Sequence, residues 1–170
     1  MALVKISKGA DIRHEYTDGV SRVPVLEGAY KDAAVERISL QPGAELSPAL
    51  YSKTEHNQVF LITAGKGYIV TPRRVFNITE VSVFVPDFDK EQFTFHCAAD
   101  AKECMEIVHF VTELNDYDKT CLKEAHLTLP RFRGVSQAWH YKEDFTGADI
   151  QQMMMIEHRN LGRLSMGANF

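Results

Sequence analysis

Gln58-Val59-Phe60-Leu61-Ile62-Thr63-Ala64-Gly65-Lys66-Gly67 opens on a run dominated by apolar and β-branched residues and closes on two glycines one residue apart. Aromatic and β-branched side chains pack well on a pleated surface, so the run favours a buried strand, and the glycines supply a tight turn after it. Similar runs recur on both sides at intervals of about ten residues, the spacing of an all-β sandwich or barrel: Val35 to Leu40, Gly67 to Thr71, Val75 to Ile78, Val81 to Val85, Gln92 to Cys97 and Met105 to Thr112. The breaks are Gln41-Pro42-Gly43, Ala64-Gly65-Lys66-Gly67, Thr71-Pro72, Thr79-Glu80, Pro86-Asp87 and Ala98 to Lys102, each rich in turn formers or too polar for a strand. No amphipathic helix interrupts the series. The pattern predicts an all-β, antiparallel fold with hairpin turns at these breaks, including one at Gly65-Lys66-Gly67.

The whole chain has 170 residues, 45% of them apolar, and sets 19 Lys and Arg against 23 Asp and Glu for a net charge of −4. That length buries one sizeable core but not two large domains. Mild acidity without a Lys/Arg stripe excludes a binder of nucleic-acid backbones, whose affinity rests on clustered positive charge. Arg131 and Arg133 stand as an isolated pair. No apolar run reaches the ~18 residues of a membrane span, and Met1 to Gly9 has no signal-like apolar segment, so a cytoplasmic protein without membrane or nucleic-acid partners is expected. Cys97, Cys104 and Cys121 are odd in number and lack metal-binding spacing, which predicts reduced thiols.

Three regions follow: an N-terminal arm at 1–33, a barrel at 34–114, and a linker with a C-terminal extension at 115–170. The extension carries the polar stretch Asn115 to Asp118, an expected short helix at Thr120 to His126, and the triplet Met153-Met154-Met155, read as buried filler. Gly19-Val20-Ser21-Arg22 is echoed by Gly134-Val135-Ser136-Gln137, and Arg37-Ile38-Ser39-Leu40 by Arg163-Leu164-Ser165-Met166, in the same order. Either these are chance matches or the extension begins a second copy of the barrel.

Pro42-Gly43, the stretch Gln58 to Gly67, and Glu80-Val81-Ser82-Val83-Phe84-Val85-Pro86 together resemble the cupin superfamily over Ala34 to Thr112. The resemblance implies a double-sheet jelly roll whose barrel mouth usually holds a metal. The family's first motif places a His-x-His pair and a Glu ahead of a glycine. Here the pair falls on Ala49 and Tyr51, on Tyr51 and Lys53, or on Ser52 and Thr54, depending on register, and Gln58 takes the Glu position. In the second motif Pro86 is kept, Glu91 replaces the His and Phe95 the Asn. No register supplies two histidines, so the family's metal is not carried over.

Alternate strand residues share a face, which groups His56, Gln58, Phe60 and Ile62, and likewise Glu91, Phe93 and Phe95. With Gln58 and Glu91 inward, Tyr51, Lys53, His56, Gln58, Phe60, Glu91, Phe93 and His109 become the candidate ligand-binding residues, and His96 a further inward candidate. His56 and Glu91 form the candidate acid and base pair, because burial and a neighbouring charge shift both toward neutrality. No serine lies in a nucleophile elbow, Gly65-Lys66-Gly67 is too short to cradle phosphate, and His140 and His158 fit no zinc spacing. The function expected is a homodimeric cupin-like barrel that binds a small polar or carboxylated, sugar-like molecule without metal or other cofactor. Two alternatives stand beside it: a metal-dependent isomerase, lyase or dioxygenase with non-standard ligands, and a structural dimerisation barrel of a longer two-barrel chain.

Overall fold

The computed structural model describes residues 12–25, 33–49, 55–87, 92–116, 120 and 130–137. The chain enters through a tight hairpin at Asp18-Gly19. Both residues have positive φ, 51° and 77°, as a two-residue hairpin turn of matching twist requires, and Thr17 and Val20 exchange backbone hydrogen bonds across it at 2.9 and 3.0 Å. The strands that follow are β1 (Val20–Val25), β2 (Ala33–Leu40), β3 (Glu45–Leu46), β4 (His56–Ala64), β5 (Gly67–Val70), β6 (Val75–Ile78), β7 (Ser82–Val85), β8 (Thr94–Cys97), β9 (Met105–Glu113) and β10 (Arg131–Gly134). Among the described residues they form two antiparallel sheets, one ordered β1-β2-β9-β4-β7-β10 and the other β3-β8-β5-β6. This is an antiparallel double-sheet jelly roll. Its larger sheet extends past the span 34–114 on both sides, with β1 and β10 as its edges.

Most turns follow their sequences. Gln41-Pro42-Gly43-Ala44 closes with the Ala44 amide donating to the Gln41 carbonyl at 2.9 Å, and Gly43 takes the positive φ of 83° that the third position of a Pro-Gly turn demands. The segment Ala64 to Gly67 is not the hairpin expected. It carries the chain from β4 in one sheet to β5 in the other, where β5 pairs with β6 and β8. The glycines serve close backbone approach instead: a Cβ on Gly65 would lie 2.5 Å from Met105 Cα, and one on Gly67 would lie 1.9 Å from the His96 carbonyl oxygen.

Strand register stacks the interior of the larger sheet in rows. Leu40 faces Met105; above them Ile38, Ile107, Ile62 and Ser82 form one row, and Glu36, His109, Phe60, Phe84 and Phe132 the next. Gln58 opposite Val111 and His56 opposite Glu113 complete the stack. The smaller sheet contributes Leu46, Phe95, Cys97, Ile69, Phe76 and Ile78 to the same core. Phe60, Phe84, Phe93 and Phe95 touch one another with ring centroids 5.0 to 6.3 Å apart, mostly tilted or edge-on, the arrangement that aromatic quadrupoles favour. One end of the barrel is therefore apolar and the other polar.

Beyond β10, Gly134-Val135-Ser136-Gln137 leaves its strand in a 3₁₀ turn over Val135–Gln137, whereas Gly19-Val20-Ser21-Arg22 enters β1, so the sequence echo has no matching conformation. Glu80 holds this turn by accepting from the Ser136 amide at 3.0 Å and hydroxyl at 2.5 Å. The helix expected at Thr120 to His126, apart from Thr120, the methionine triplet and the echo at Arg163 lie outside the described residues.

Candidate functional site

The polar end of the barrel is where β2 and β4 begin and β9 ends. Parity along each strand decides which side chains enter: Glu36 shares its face with Ile38 and Leu40, His109 with Ile107 and Met105, and Gln58 with Phe60 and Ile62. Glu36, His109 and Phe60 lie directly opposite one another across three strands, and Gln58 reaches His109 from the diagonal position one row nearer the open end.

These residues form a continuous line of hydrogen bonds. Arg22, diagonal to Glu36 from the edge strand β1, donates through Nε to Glu36 Oε2 at 3.0 Å and through Nη2 to Oε1 at 2.7 Å. His109 Nδ1 lies 2.6 Å from Glu36 Oε1, and its Nε2 lies 2.7 Å from Gln58 Oε1. The imidazole also stacks on Phe60, with centroids 4.2 Å apart and ring planes within 3°. His109 is 2% exposed and Gln58 fully buried, so the line runs through the interior. Burial alone would raise the Glu36 carboxyl. Hydrogen bonds from His109 and Arg22, with their charges, reverse that and hold it at about 2, against an ordinary 4.5.

Gln58 Oε1 is occupied by His109, while the Gln58 amide nitrogen is buried and has no hydrogen-bond partner among the described residues. Phe60 shares the inward face of β4 with Gln58, and its ring meets Phe93 edge-on at 5.4 Å. His56 starts β4 half-buried on the same face as Gln58. Tyr51, Lys53 and Glu91 lie outside the described residues, so the pairing of His56 with Glu91 does too. His96 corrects the sequence expectation: it points outward, because it alternates with the buried Phe95 and Cys97 on β8. There it stacks on the exposed Tyr68 at 4.6 Å and meets Glu45 at 3.1 Å.

Sequence reasoning missed Glu36 and Arg22. The signal for Glu36 was available, since it precedes Ile38 and Leu40 at the spacing of one strand face. Nothing in the sequence marked Arg22, whose role follows from β1 pairing with β2.

The described residues do not fit the metal that the cupin resemblance implies. Among them no three His, Cys, Asp or Glu side chains come together as a ligand set. A ligating imidazole offers a bare nitrogen, and both nitrogens of His109 are turned to hydrogen-bond partners instead.

No family model matches the sequence, and no curated protein matches it either. Solved structures do. KdgF from a Halomonas species superimposes with a TM-score of 0.54 at 11% identity, covering 67% of this chain and 97% of its own. A predicted oxalate decarboxylase from Thermotoga maritima gives 0.52 at 16% identity, covering 65% of this chain and 100% of its own. An RmlC-like cupin from Desulfovibrio desulfuricans gives 0.48 at 14% identity, over 65% and 96%.

Proposed function

We propose that this chain, a jelly roll of the cupin fold, binds a small polar or carboxylated molecule of sugar-like character at the open end of its barrel, and does so without a metal. The observation that carries this is the amide nitrogen of Gln58, fully buried and without a partner among the described residues. A buried donor left unsatisfied costs about 1–3 kcal/mol, and folded proteins seldom tolerate it without a compensating role. A ligand oxygen received there recovers that loss, while Phe60 and Phe93 supply the apolar area that affinity needs. The line from Arg22 to Gln58 is anchored at every point in strands, which holds the recognising group in place before a ligand arrives.

The homodimer expected from the sequence belongs to the same proposal, since an unpaired sheet edge is covered economically by a second copy. Native mass spectrometry of protein purified without chelator or affinity-tag metal tests both parts, read before and after denaturation for mass lost as a small molecule. The expected result is a metal-free protein that gives up, or takes up from a panel of sugars and sugar acids, one organic molecule per chain. Near-stoichiometric iron, manganese, nickel or zinc overturns the metal-free proposal and favours the enzyme alternative.

A further inference from the structure

We infer that Gln58 is the specificity-determining residue of this site: His109 and Glu36 fix its amide with the NH2 end toward the ligand, so the barrel selects a hydrogen-bond acceptor, foremost a carboxylate. This rests on the ligand-binding function proposed above. A glutamine amide is nearly the same shape either way round, and only its neighbours decide whether it offers donors or an acceptor. Here they decide it in sequence. The Glu36 carboxylate can only accept, so His109 donates from Nδ1 across 2.6 Å. Gln58 Oε1 can only accept, so His109 also donates from Nε2 across 2.7 Å. With Oε1 so engaged, the NH2 end of Gln58 is the one left over.

Donation from His109 to Oε1 draws electron density from the amide and strengthens its N–H donors, because hydrogen bonds in a chain polarise one another. Such a donor favours the strongest acceptor, and charge-assisted bonds to a carboxylate are roughly twice as strong as neutral ones.

The experiment uses the full chain and two probes of one carbon skeleton, gluconate and glucose. Titration calorimetry measures both in one buffer. Gluconate is expected to bind at least about tenfold more tightly than glucose, the scale of one charge-assisted hydrogen bond. Gln58→Glu is expected to weaken gluconate by about tenfold or more. His109→Phe keeps an aromatic ring beside Phe60, leaves the amide free to turn, and is expected to reduce the preference for gluconate over glucose. Glucose binding as tightly as gluconate overturns the inference and leaves the ligand-binding proposal standing. Failure of both probes, and of the wider panel, counts against that proposal instead. Ligand-free protein decides the amide's orientation independently, through nitrogen-15 spectra of the His109 and Gln58 side chains. A nitrogen–nitrogen coupling between His109 Nε2 and Gln58 Nε2 shows the opposite orientation and overturns it.

Discussion

Replacing Glu36 with Gln removes one charge from the interior line and keeps the side chain's shape. Hydrogen bonds and charges from His109 and Arg22 outweigh burial and bring the carboxyl from an ordinary 4.5 to about 2. At about 1.4 kcal/mol per pH unit, that difference is worth about 3 kcal/mol to the folded state. The side chain is 18% exposed, so solvent screens little of it. A depressed folded-state carboxyl stabilises above its unfolded value and stops doing so as pH falls through the folded one. The contribution is therefore complete at neutral pH, shrinks below about 4.5, and is nearly gone at about 2. Since glutamine keeps part of the hydrogen bonding, Glu36→Gln is expected to lose about 2–3 kcal/mol at pH 7 and almost nothing near pH 2. Urea unfolding followed by circular dichroism, repeated across this range on both proteins, measures the difference directly. A difference of the same size at every pH would show that Glu36 acts through packing and refute the electrostatic account.

Phe60→Ala empties the centre of the aromatic cluster and removes the surface on which His109 stacks. A loss of about 3–5 kcal/mol is expected in the same urea assay, with an unchanged slope. Gly65→Ala meets both a positive φ of 88° and backbone atoms of Met105, whereas Gly43→Ala meets a positive φ of 83° and only the Ala99 methyl at an ordinary 4.0 Å. Both should lower the melting temperature, the first by at least about 4 °C and clearly more than the second; equal losses would show that the Met105 contact does not constrain the crossover. Glu45→Gln touches only an outward pair with His96, Glu45 being 65% exposed, and should change stability by less than about 0.5 kcal/mol. A larger effect would mean that His96 is not a surface residue.

The strands between Val35 and Thr112, apart from the two-residue β3, were legible because each buries one or both faces, and the runs of Val, Ile and Phe record that burial directly. Two elements outside that span escaped for different reasons. The hairpin at Asp18-Gly19 had a strong local signal, an Asp-Gly pair ahead of alternating apolar residues in Val20–Val25. It was hidden by the polar residues that an edge strand tolerates: Arg22 interrupts the pattern, and its reason for being there lies on another strand. Strand β10 is four residues long and owes its conformation to pairing with β7, which no local propensity encodes. The same limit explains the misread glycines. Gly65 and Gly67 look like a hairpin in sequence, yet what they answer to is Met105 and His96, residues 40 and 29 positions away in contact with their backbone.

The site shows the same division between parity and pairing. The aligned family positions placed Gln58 inward, and parity put Phe60 with it; the run alone admits either orientation of β4, since Val59 and Leu61 on its other face are apolar too. Parity gave no answer for His96, since both faces of Gln92 to Cys97 carry residues able to point in, and the structure resolves this by burying Phe93, Phe95 and Cys97. What sequence could not supply was the partner strand that brings Glu36 opposite His109. That pairing governs where charge can be kept. At the other end, Gly65 and Gly67 lie against the backbone of Met105 and His96, and Met105 and Leu40 are fully buried. A buried carboxylate needs donors from more than one element to offset its desolvation. The row holding Glu36 provides them from β1 and β9 together, one step below Gln58, so the group that meets a ligand is supported by the charges that the fold could least afford to leave alone.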